Sequence, residues 1–223
     1  MDYQDKVVLI TGAGRGAGRQ LAEAFAAQGA RLALNDISPQ NVESLADELR
    51  LRGFHSKVYV DDIAKKVAAQ ALIKQVEDDF GRIDALINHA SVEPRAALLD
   101  MDEWDWRRTL DVNLTGPFLT MQSAGRLMRE RGGGVIVNMA SLSGGTVALN
   151  RAAYVSSLFG LVGLTRQAAR ELFAYGIRVH AVGRGLGRFQ NSGAIVPADL
   201  SRAVLFLCSE QAAHLTGHIV NVP

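Results

Sequence analysis

Apolar residues along the chain fall into short continuous runs, which alternate with longer stretches where they recur every three or four positions. The runs are KVVLITG, RLALND, HSKVYVDD, RIDALINHA, GGVIVNMAS, GIRVHAVG and GHIVNVP. Continuous runs of this length are typical of strands buried on both faces of a parallel sheet. The other stretches predict helices near residues 16–28, 39–52, 64–80, 102–131, 151–175 and 198–209. This alternation predicts an α/β fold, a doubly wound seven-stranded parallel sheet with helices on both faces.

Composition favours a globular protein with a single domain spanning residues 1–223. Hydrophobic residues make up 48% of the chain and charged residues 21%, which is enough to bury one full core. The 24 basic and 23 acidic residues leave a net charge of +1, which gives no electrostatic footprint for nucleic acid or an anionic membrane. We therefore expect small-molecule or protein partners, no nucleic acid and no membrane.

Cysteine content and the first residues favour a cytoplasmic protein. The single cysteine, Cys208, lies in the apolar run AVLFLC, so we interpret it as a packed core thiol and expect no disulfide. The chain begins MDYQDKVVLI, with acids where a signal peptide would need basic residues. No apolar stretch is long enough to span a membrane.

A glycine-rich segment, TGAGRGAG at residues 11–18, lies between the first predicted strand and the first predicted helix. Glycine there permits a tight turn and lets backbone N–H groups approach a pyrophosphate at the positive end of the helix. Asp36 ends the second strand, 24 residues after Gly12, where a carboxylate can accept hydrogen bonds from both hydroxyls of an adenosine ribose. The same carboxylate would repel a 2′-phosphate, so the pattern predicts NAD as the cofactor in preference to NADP.

On these residues, and on motifs that continue along almost the whole chain, the sequence resembles the short-chain dehydrogenase/reductase family. The segment at residues 11–18 matches the family's Thr-Gly-x-x-x-Gly-x-Gly, and NHAS at residues 88–91 corresponds to its Asn-Asn-Ala-Gly. The resemblance implies a Rossmann domain with strand order 3-2-1-4-5-6-7 and a defined set of cofactor-binding residues. These are Thr11, Gly12, Gly14, Arg15, Gly16, Ala17, Gly18, Asp36, Asp62, Asn88, Ala90 and Gly185.

Some positions in this set carry a more specific expectation. Asp62, in YVDDI, matches the acid that contacts adenine in the family. Arg15 is a basic residue inside the glycine loop and could weaken the preference for NAD. His89 and Ser91 depart from the family pattern, and the departure concerns the backbone beside the adenosine half of the cofactor.

The resemblance also implies the catalytic residues Asn113, Ser141 and Tyr154. Ser141 precedes Tyr154 by 13 residues, the spacing that in the family places both around the substrate carbonyl. Reduction by hydride needs a proton donor for the developing alkoxide, which a phenol can provide while a serine hydroxyl polarises the oxygen. Taken singly, each of the three also has a structural explanation: a helix-bending polar group, a strand-end turn and a core side chain.

The residue four positions after the tyrosine departs from the family. The family's proton relay is Tyr-x-x-x-Lys, and the lysine position here holds Leu158. An unperturbed phenol has a pKa of about 10, so matching it to neutral pH costs about 4 kcal/mol. In the family the charge of the lysine lowers the pKa of the phenol, and the lysine also binds the nicotinamide ribose. The asparagine that corresponds to Asn113 positions a water that connects to this lysine. Leucine can do none of this, so the sequence predicts an impaired relay.

The segment after the sixth strand departs as well. Arg184-Gly185 replaces the family's Pro-Gly, and only 11 residues separate Gly185 from Pro197, so we expect most of the substrate lid to be missing. Arg184 could stand in for the lysine, but it reaches from a different strand end, and we favour an exposed or occluding role. The chain ends at VNVP, where the family usually continues with Asp-Gly-Gly.

Two functional hypotheses of different class remain. The first is an NAD-linked oxidoreductase that acts on a small alcohol or ketone, and the second is a catalytically inactive NAD-binding scaffold, sensor or partner subunit. The long helices near residues 102–131 and 151–175 resemble those that form a homodimer or homotetramer in the family. DEWDWRR at 102–108 is interpreted as a capped helix start and subunit contact. His214 and His218 have no acidic third ligand nearby in sequence, so no metal site is expected.

Overall fold

A computed structural model describes residues 3–140, 149–184 and 199–222, with only the backbone of Arg184. In this part of the chain the strands are β1 (Val7–Thr11), β2 (Arg31–Asp36), β3 (Ser56–Val60), β4 (Ala85–Asn88), β5 (Gly134–Met139), β6 (Ile177–Arg184) and β7 (Ile219–Val222). Within the described residues they form one parallel seven-stranded sheet in the order β3-β2-β1-β4-β5-β6-β7. The α/β fold and the strand order that the sequence predicts are both confirmed.

Helices connect the strands. Within the described residues they are α1 (Gly16–Ala26), α2 (Pro39–Leu51), α3 (Lys66–Phe80), α4 (Glu103–Leu110), α5 (Gly116–Glu130), α6 (Ala152–Leu172) and α7 (Leu200–Cys208). Short 3-10 turns follow α6 at Phe173–Tyr175 and α7 at Glu210–Ala212. The ends of these helices lie within a few residues of the predicted ones. None of the helices in the described residues is both long and apolar enough to cross a bilayer.

The predicted helix at 102–131 is wrong in one respect, because a π-helical turn at Asp111–Thr115 separates α4 from α5. Gly116 donates its N–H to the carbonyl of Asp111, five residues earlier. Pro117 comes next and has no N–H, so the carbonyl of Asn113 cannot receive the usual α-helical bond. The interruption therefore lies at a residue that the sequence marks as catalytic.

Helices cover both faces of the sheet because alternate residues of each strand point in opposite directions. Val8 and Ile10 belong to a core cluster that includes buried residues of α1, α2 and α7. Val7 and Leu9 belong to a second cluster, with buried residues of α3, α5 and α6. A third, smaller cluster lies where α6 meets β6 and β7; we call it the α6 cluster. Its buried members are Ala140, Tyr154, Leu158, Leu161, Val162, Ala181 and Ile219.

Candidate active site

The glycine loop between β1 and α1 packs directly on the chain that leaves β4. A Cβ atom on Gly12 would lie 2.7 Å from the Cα of Ala90, and φ at Gly12 is +64°. A Cβ on Gly18 would lie only 2.2 Å from the carbonyl oxygen of Gly12. Neither position has room for a side chain, so the two glycines set the shape of the loop.

Thr11 ties the same two segments together. Its hydroxyl oxygen accepts hydrogen bonds from the backbone N–H groups of His89 and Ala90, at 3.1 and 3.2 Å. These contacts depend on the backbone after β4 and not on its side chains. The departures at His89 and Ser91 therefore leave the junction between the glycine loop and β4 closed.

The start of α1 is open and suited to an anion. Its N-cap residue, Arg15, makes no side-chain capping hydrogen bond. Gly16 has φ +57°, and a Cβ placed on it would meet no protein atom within 4 Å. A helix N-terminus with unpaired N–H groups and empty space above it is a binding site for phosphate oxygens. The residues present thus fit the pyrophosphate of a dinucleotide.

A cavity of about 360 Å³ continues from this helix start across the carboxyl ends of β2 and β3. Of the predicted cofactor residues, the cavity is lined by Gly12, Arg15, Gly16, Ala17, Asp36, Asp62 and Ala90. Thr11, Gly14, Gly18 and Asn88 do not line it and instead form the framework behind it. Further lining residues, which the sequence analysis did not assign to the site, are Asn35, Ile37, Asp61, Ile63, Val92, Arg108 and Val112.

Asp36 is held in one orientation by backbone donors. One carboxylate oxygen accepts the N–H of Gly14 at 2.9 Å, and the other accepts the N–H of Ser38 at 2.9 Å. A Cβ on Gly14 would come 3.0 Å from that first oxygen, so the glycine permits the approach. The carboxylate keeps lone pairs free on both oxygens, with its orientation fixed before any ligand arrives.

Asp62 is also fixed, but by a charged partner that the sequence analysis missed. The guanidinium of Arg108 donates to both of its oxygens, at 3.0 and 3.4 Å. Asp102 does cap α4, accepting the N–H of Trp104 at 2.8 Å, as interpreted. Arg108, interpreted as part of a subunit contact, pairs with Asp62 at the cavity wall, and the subunit contact stays a prediction. Only the three-dimensional fold brings these two residues together.

His89 fills the space between the glycine loop and the cavity. Its Nδ1 lies 3.1 Å from the carbonyl oxygen of Gly12. Burial lowers the pKa of His89, so the ring is neutral near pH 7. Because a carbonyl only accepts, Nδ1 carries the proton and Nε2 is left as an acceptor. His89 thus supports the glycine loop through this hydrogen bond.

Two asparagines predicted for the site use their side-chain amides in hydrogen bonds within the protein. Asn88 donates to the side-chain oxygen of Asn138 at 2.9 Å and accepts from the Thr120 hydroxyl at 2.7 Å. Asn113 binds the backbone of Val92 twice, accepting its N–H and donating to its carbonyl, both at 2.9 Å. Asn88 joins β4 to β5 and α5, while Asn113 fixes the loop after β4. Any contact of Asn88 with a cofactor stays a prediction.

Asn113 also connects to the start of α6. Its amide nitrogen donates a second hydrogen bond to the Ser157 hydroxyl at 3.1 Å, and that hydroxyl donates to the carbonyl of Tyr154 at 2.7 Å. The amide therefore holds the π-helical turn, the loop after β4 and the tyrosine-bearing turn in one arrangement. Asn113 thus positions the turn that carries Tyr154, and Ser157 was not identified from the sequence.

Tyr154 lies in an environment that opposes ionisation. It is 8% exposed and belongs to the α6 cluster. Burial is the main cause that raises the pKa of the Tyr154 phenol; Glu93 raises it further, and Arg151 lowers it. Leu158 is 2% exposed in the same cluster. The residue at the lysine position is thus part of an apolar core, and the impaired relay stays a prediction.

Three predicted residues cannot be placed in the site. Ser141 and Gly185 lie outside the described residues, as does the segment after β6 where the lid is expected to be short. The backbone of Arg184 ends β6, and its side chain also lies outside the described part. The expectations about these residues remain predictions.

A larger cavity, of about 600 Å³, opens at the opposite edge of the sheet, where the strands begin. Its wall includes Arg178, which donates to the backbone carbonyls of Leu207 and Ala212 at 2.7 and 3.0 Å. Burial raises the pKa of the neighbouring Cys208 thiol to about 12, so this cysteine is protonated at neutral pH. Neither the glycine loop nor the phenol contributes to this cavity, and we do not assign it to the active site.

The described residues contain no group of three or more metal-ligating side chains placed to hold an ion. His218 stacks on His180, with ring centroids 6.1 Å apart. His214 is not part of that pair. This geometry offers two imidazoles in contact with each other rather than a set of ligands around a shared point.

Comparison with known proteins defines the family. The sequence model described as short chain dehydrogenase matches residues 6–194. A D-threitol dehydrogenase of Mycolicibacterium smegmatis is 37% identical over 233 residues, covering 95% of this chain and 89% of its own. A hydroxy(phenyl)methylsuccinyl-CoA dehydrogenase subunit of Thauera aromatica is 38% identical over 242 residues, covering 100% and 96%.

Solved structures agree. The crystal structure of a short chain dehydrogenase from Mycobacterium smegmatis superimposes with a TM-score of 0.89 at 31% sequence identity, covering 100% of this chain and 95% of that one. The chain belongs to the short-chain dehydrogenase family, whose members are oxidoreductases that bind NAD or NADP.

Proposed function

We propose that the protein is an NAD(H)-dependent oxidoreductase that acts on a small alcohol or ketone with an impaired proton relay. The observation that carries the proposal is a preformed cofactor cavity whose lining residue Val92 is tied through Asn113 and Ser157 to the turn that bears Tyr154. NAD(H), when bound in this cavity, would supply or accept the hydride. Tyr154 then gives a proton to the carbonyl oxygen during reduction, or takes it from the hydroxyl during oxidation.

The cofactor preference rests on Asp36. Its two oxygens are already oriented by Gly14 and Ser38, so they can accept ribose hydroxyls without reorganisation. A 2′-phosphate at the same place would meet a fixed negative charge in a cavity that also holds Asp61 and Asp62. Arg15 and Arg108 oppose this repulsion in part, so we expect weak rather than absent binding of NADP(H).

A second candidate function is an NAD(H)-binding protein without turnover, acting as a scaffold, sensor or partner subunit. It is favoured by the burial of Leu158 and by the raised pKa of the Tyr154 phenol. Loss of the lysine charge removes the main means by which the family lowers the barrier to proton transfer. Cofactor binding does not require that charge and would survive.

Fluorescence titration with NADH, run beside a turnover assay on a panel of alcohols and ketones, separates the two candidates. The oxidoreductase proposal expects saturable binding together with slow turnover that Tyr154→Phe abolishes. Binding without turnover of any panel member selects the second candidate. Turnover that survives Tyr154→Phe would contradict the assignment of the phenol.

The same proposal includes a homodimer or homotetramer in the cytoplasm, built from one domain per chain, with neither nucleic acid nor a membrane as partner. Phe118 on α5 is 43% exposed and Phe159 on α6 is 37% exposed. Aromatic side chains on two neighbouring helices suit an isologous interface. Light scattering at micromolar concentration should give a multiple of the mass of one chain, and a monomeric mass would contradict this part of the proposal.

A further inference from the structure

A partly buried ion pair acts on Tyr154, and it is formed by residues that the family resemblance did not single out. Arg151 immediately precedes α6, and Glu93 lies in the segment after β4. The Nε of Arg151 is 2.9 Å from Oε1 of Glu93, and the same oxygen is 3.1 Å from Nε of Arg95. One carboxylate therefore serves two guanidinium groups, which leaves the three side chains with a net positive charge.

The backbone holds Arg151 in place one helical turn before the phenol. Asn150 adopts φ +61°, and its carbonyl accepts the N–H of Ala96 at 3.1 Å. Ala96 and Arg151 form an isolated parallel bridge, and the carbonyl of Arg151 accepts the N–H of Val155 at 2.9 Å. Arg151 is the N-cap residue of α6 and Tyr154 lies three positions later, so both belong to the first turn at the start of this helix.

Burial makes this pair effective. The Arg151 side chain is 12% exposed and that of Glu93 is 28% exposed, whereas Arg95 is 65% exposed. Water and salt screen a charge less when it is buried, so Arg151 acts more strongly than Arg95 on groups nearby. Among the described residues, Glu93 and Arg151 are the charged side chains that act on the phenol; the α6 cluster supplies apolar neighbours.

We propose that Arg151 is the cation that acts on the Tyr154 hydroxyl in place of the absent lysine, and that Glu93 sets how much of its charge reaches the phenol. This inference rests on the proposed function, because it assigns a role in the same proton transfer. During ketone reduction the phenolic O–H bond breaks and its proton passes to the carbonyl oxygen, while the cofactor, when bound, would supply the hydride to the carbon. A phenolate remains, which Arg151 stabilises and Glu93 destabilises.

The test measures the ionisation of Tyr154 itself, without relying on activity. Carbon-13 labelling at Cζ gives one NMR signal for each of the four tyrosines, and Tyr154→Phe identifies the signal of interest. We expect Arg151→Gln to move the titration midpoint of Tyr154 to higher pH and Glu93→Gln to move it to lower pH. Arg151→Lys, which keeps the charge, should stay near the wild type.

A matched control uses the same helix. Arg170→Gln removes an identical charge from an exposed position in the last turn of α6 and should leave the Tyr154 midpoint unchanged. Circular dichroism establishes that each variant is folded. Where Arg151→Gln does not fold, Glu93→Gln and Arg151→Lys still test the inference, because both keep a positively charged side chain at residue 151.

The outcomes distinguish this inference from the proposed function. Opposite shifts of the Tyr154 midpoint in Arg151→Gln and Glu93→Gln support the inference. Turnover near pH 7 should then fall in Arg151→Gln and rise in Glu93→Gln, by about tenfold for each pKa unit. Shifts without turnover in any variant support the tuning and overturn the oxidoreductase proposal. A midpoint that stays fixed in both variants, with turnover intact, overturns the role of Arg151 and leaves the oxidoreductase proposal standing.

Discussion

Two regions at the carboxyl edge of the sheet have different relations to the family pattern. The cofactor region, at the ends of β1, β2 and β4, has its polar atoms held by backbone donors, as at Asp36 and Thr11. The catalytic region, at the start of α6, places Tyr154 beside an apolar side chain, Leu158, in the α6 cluster. Both are well packed, but the cofactor region presents oriented polar atoms, whereas the α6 cluster around Tyr154 is apolar.

The difference shows how binding and proton transfer can separate within one fold. Binding needs preoriented donors and acceptors, which backbone geometry supplies whatever happens at residue 158. Proton transfer needs a phenol whose pKa lies far below its ordinary value, a shift that costs about 4 kcal/mol and must come from nearby charge. Glu93 and Arg151 are the described charges that act there, and they oppose each other.

The largest expected effect is a loss of folding stability in acid, caused by protonation of His180 on β6. Burial, Arg178 and His218 lower the pKa of His180 to about 3, against about 6.5 unfolded. Because the folded pKa is depressed, the contribution to stability is complete above pH 6.5 and is lost as the pH drops towards 3, by about 5 kcal/mol in all. Denaturant unfolding at pH 7, 5 and 4 should show this fall, and His180→Gln should flatten it.

The control for acid is His55→Gln, since His55 is exposed and its loss should leave the pH dependence unchanged. An unchanged acid slope in His180→Gln would contradict the prediction. His89 provides the counterpart in the cofactor region, because burial lowers its pKa too. Titration of NADH binding over the same range separates loss of the cofactor site from loss of the whole fold.

Leu158→Lys tests the catalytic region directly. Placing an ammonium in the α6 cluster should lower the free energy of unfolding by about 3 kcal/mol. Some of that charge should reach the phenol, so turnover should rise above the wild-type level while staying below family rates, because the lid is expected to be short. Thermal unfolding and initial rates measure the two effects.

Leu161→Lys is the matched variant, since Leu161 is equally buried in the α6 cluster and lies one turn further from the tyrosine. It should cost similar stability and gain no turnover. Equal gains in both variants would show that a general loosening of the fold, and not a charge at residue 158, increases the rate.

Gly18→Ala tests the cofactor region. The added Cβ would lie 2.2 Å from the carbonyl oxygen of Gly12 and 2.7 Å from Nδ1 of His89, so the loop must shift. A displacement of this kind should weaken NADH binding by about 100-fold. Gly163→Ala is the control, because a Cβ there meets nothing within 4 Å and it should leave the NADH dissociation constant unchanged. Wild-type affinity in Gly18→Ala would mean that the loop does not carry the cofactor.

The fold was predictable because its signals are local. Continuous apolar runs separated by helical periodicity determine the strands, and the glycine motif fixes where the chain turns from β1 into α1. The break at Asp111–Thr115 was not predicted, although Pro117 gave the signal: it removes the N–H that Asn113 would need. A hydrophobic pattern alone continues smoothly through that turn.

The site was predictable only where a motif is contiguous. Gly12, Asp36 and Tyr154 follow from local sequence, whereas Arg108 and Asp62 meet across 46 residues. Arg151 is only three residues before Tyr154 in the sequence, but its orientation depends on Ala96 and Glu93 from another segment. From the sequence, Arg184 was therefore considered as a substitute for the lysine, and Arg151 was not.

The smallest expected effect concerns the choice of cofactor. Asp36→Asn removes the charge that would repel a 2′-phosphate, and its amide can accept from only one of the two N–H groups that now bind the carboxylate. NADH should bind about tenfold more weakly while NADPH binds at least as well, a change of about 1.4 kcal/mol in their relative affinity. Asp61→Asn removes a second charge from the same cavity without touching the glycine loop, and should change the ratio far less. Adding Arg15→Gln to Asp36→Asn should then reverse any gain for NADPH, because Arg15 is the exposed cation at the helix start. Equal effects of Asp36→Asn and Asp61→Asn would mean that the overall charge of the cavity, rather than the oriented carboxylate, selects the cofactor. The contrast between a preorganised cofactor region and an altered catalytic region would then lose its main support.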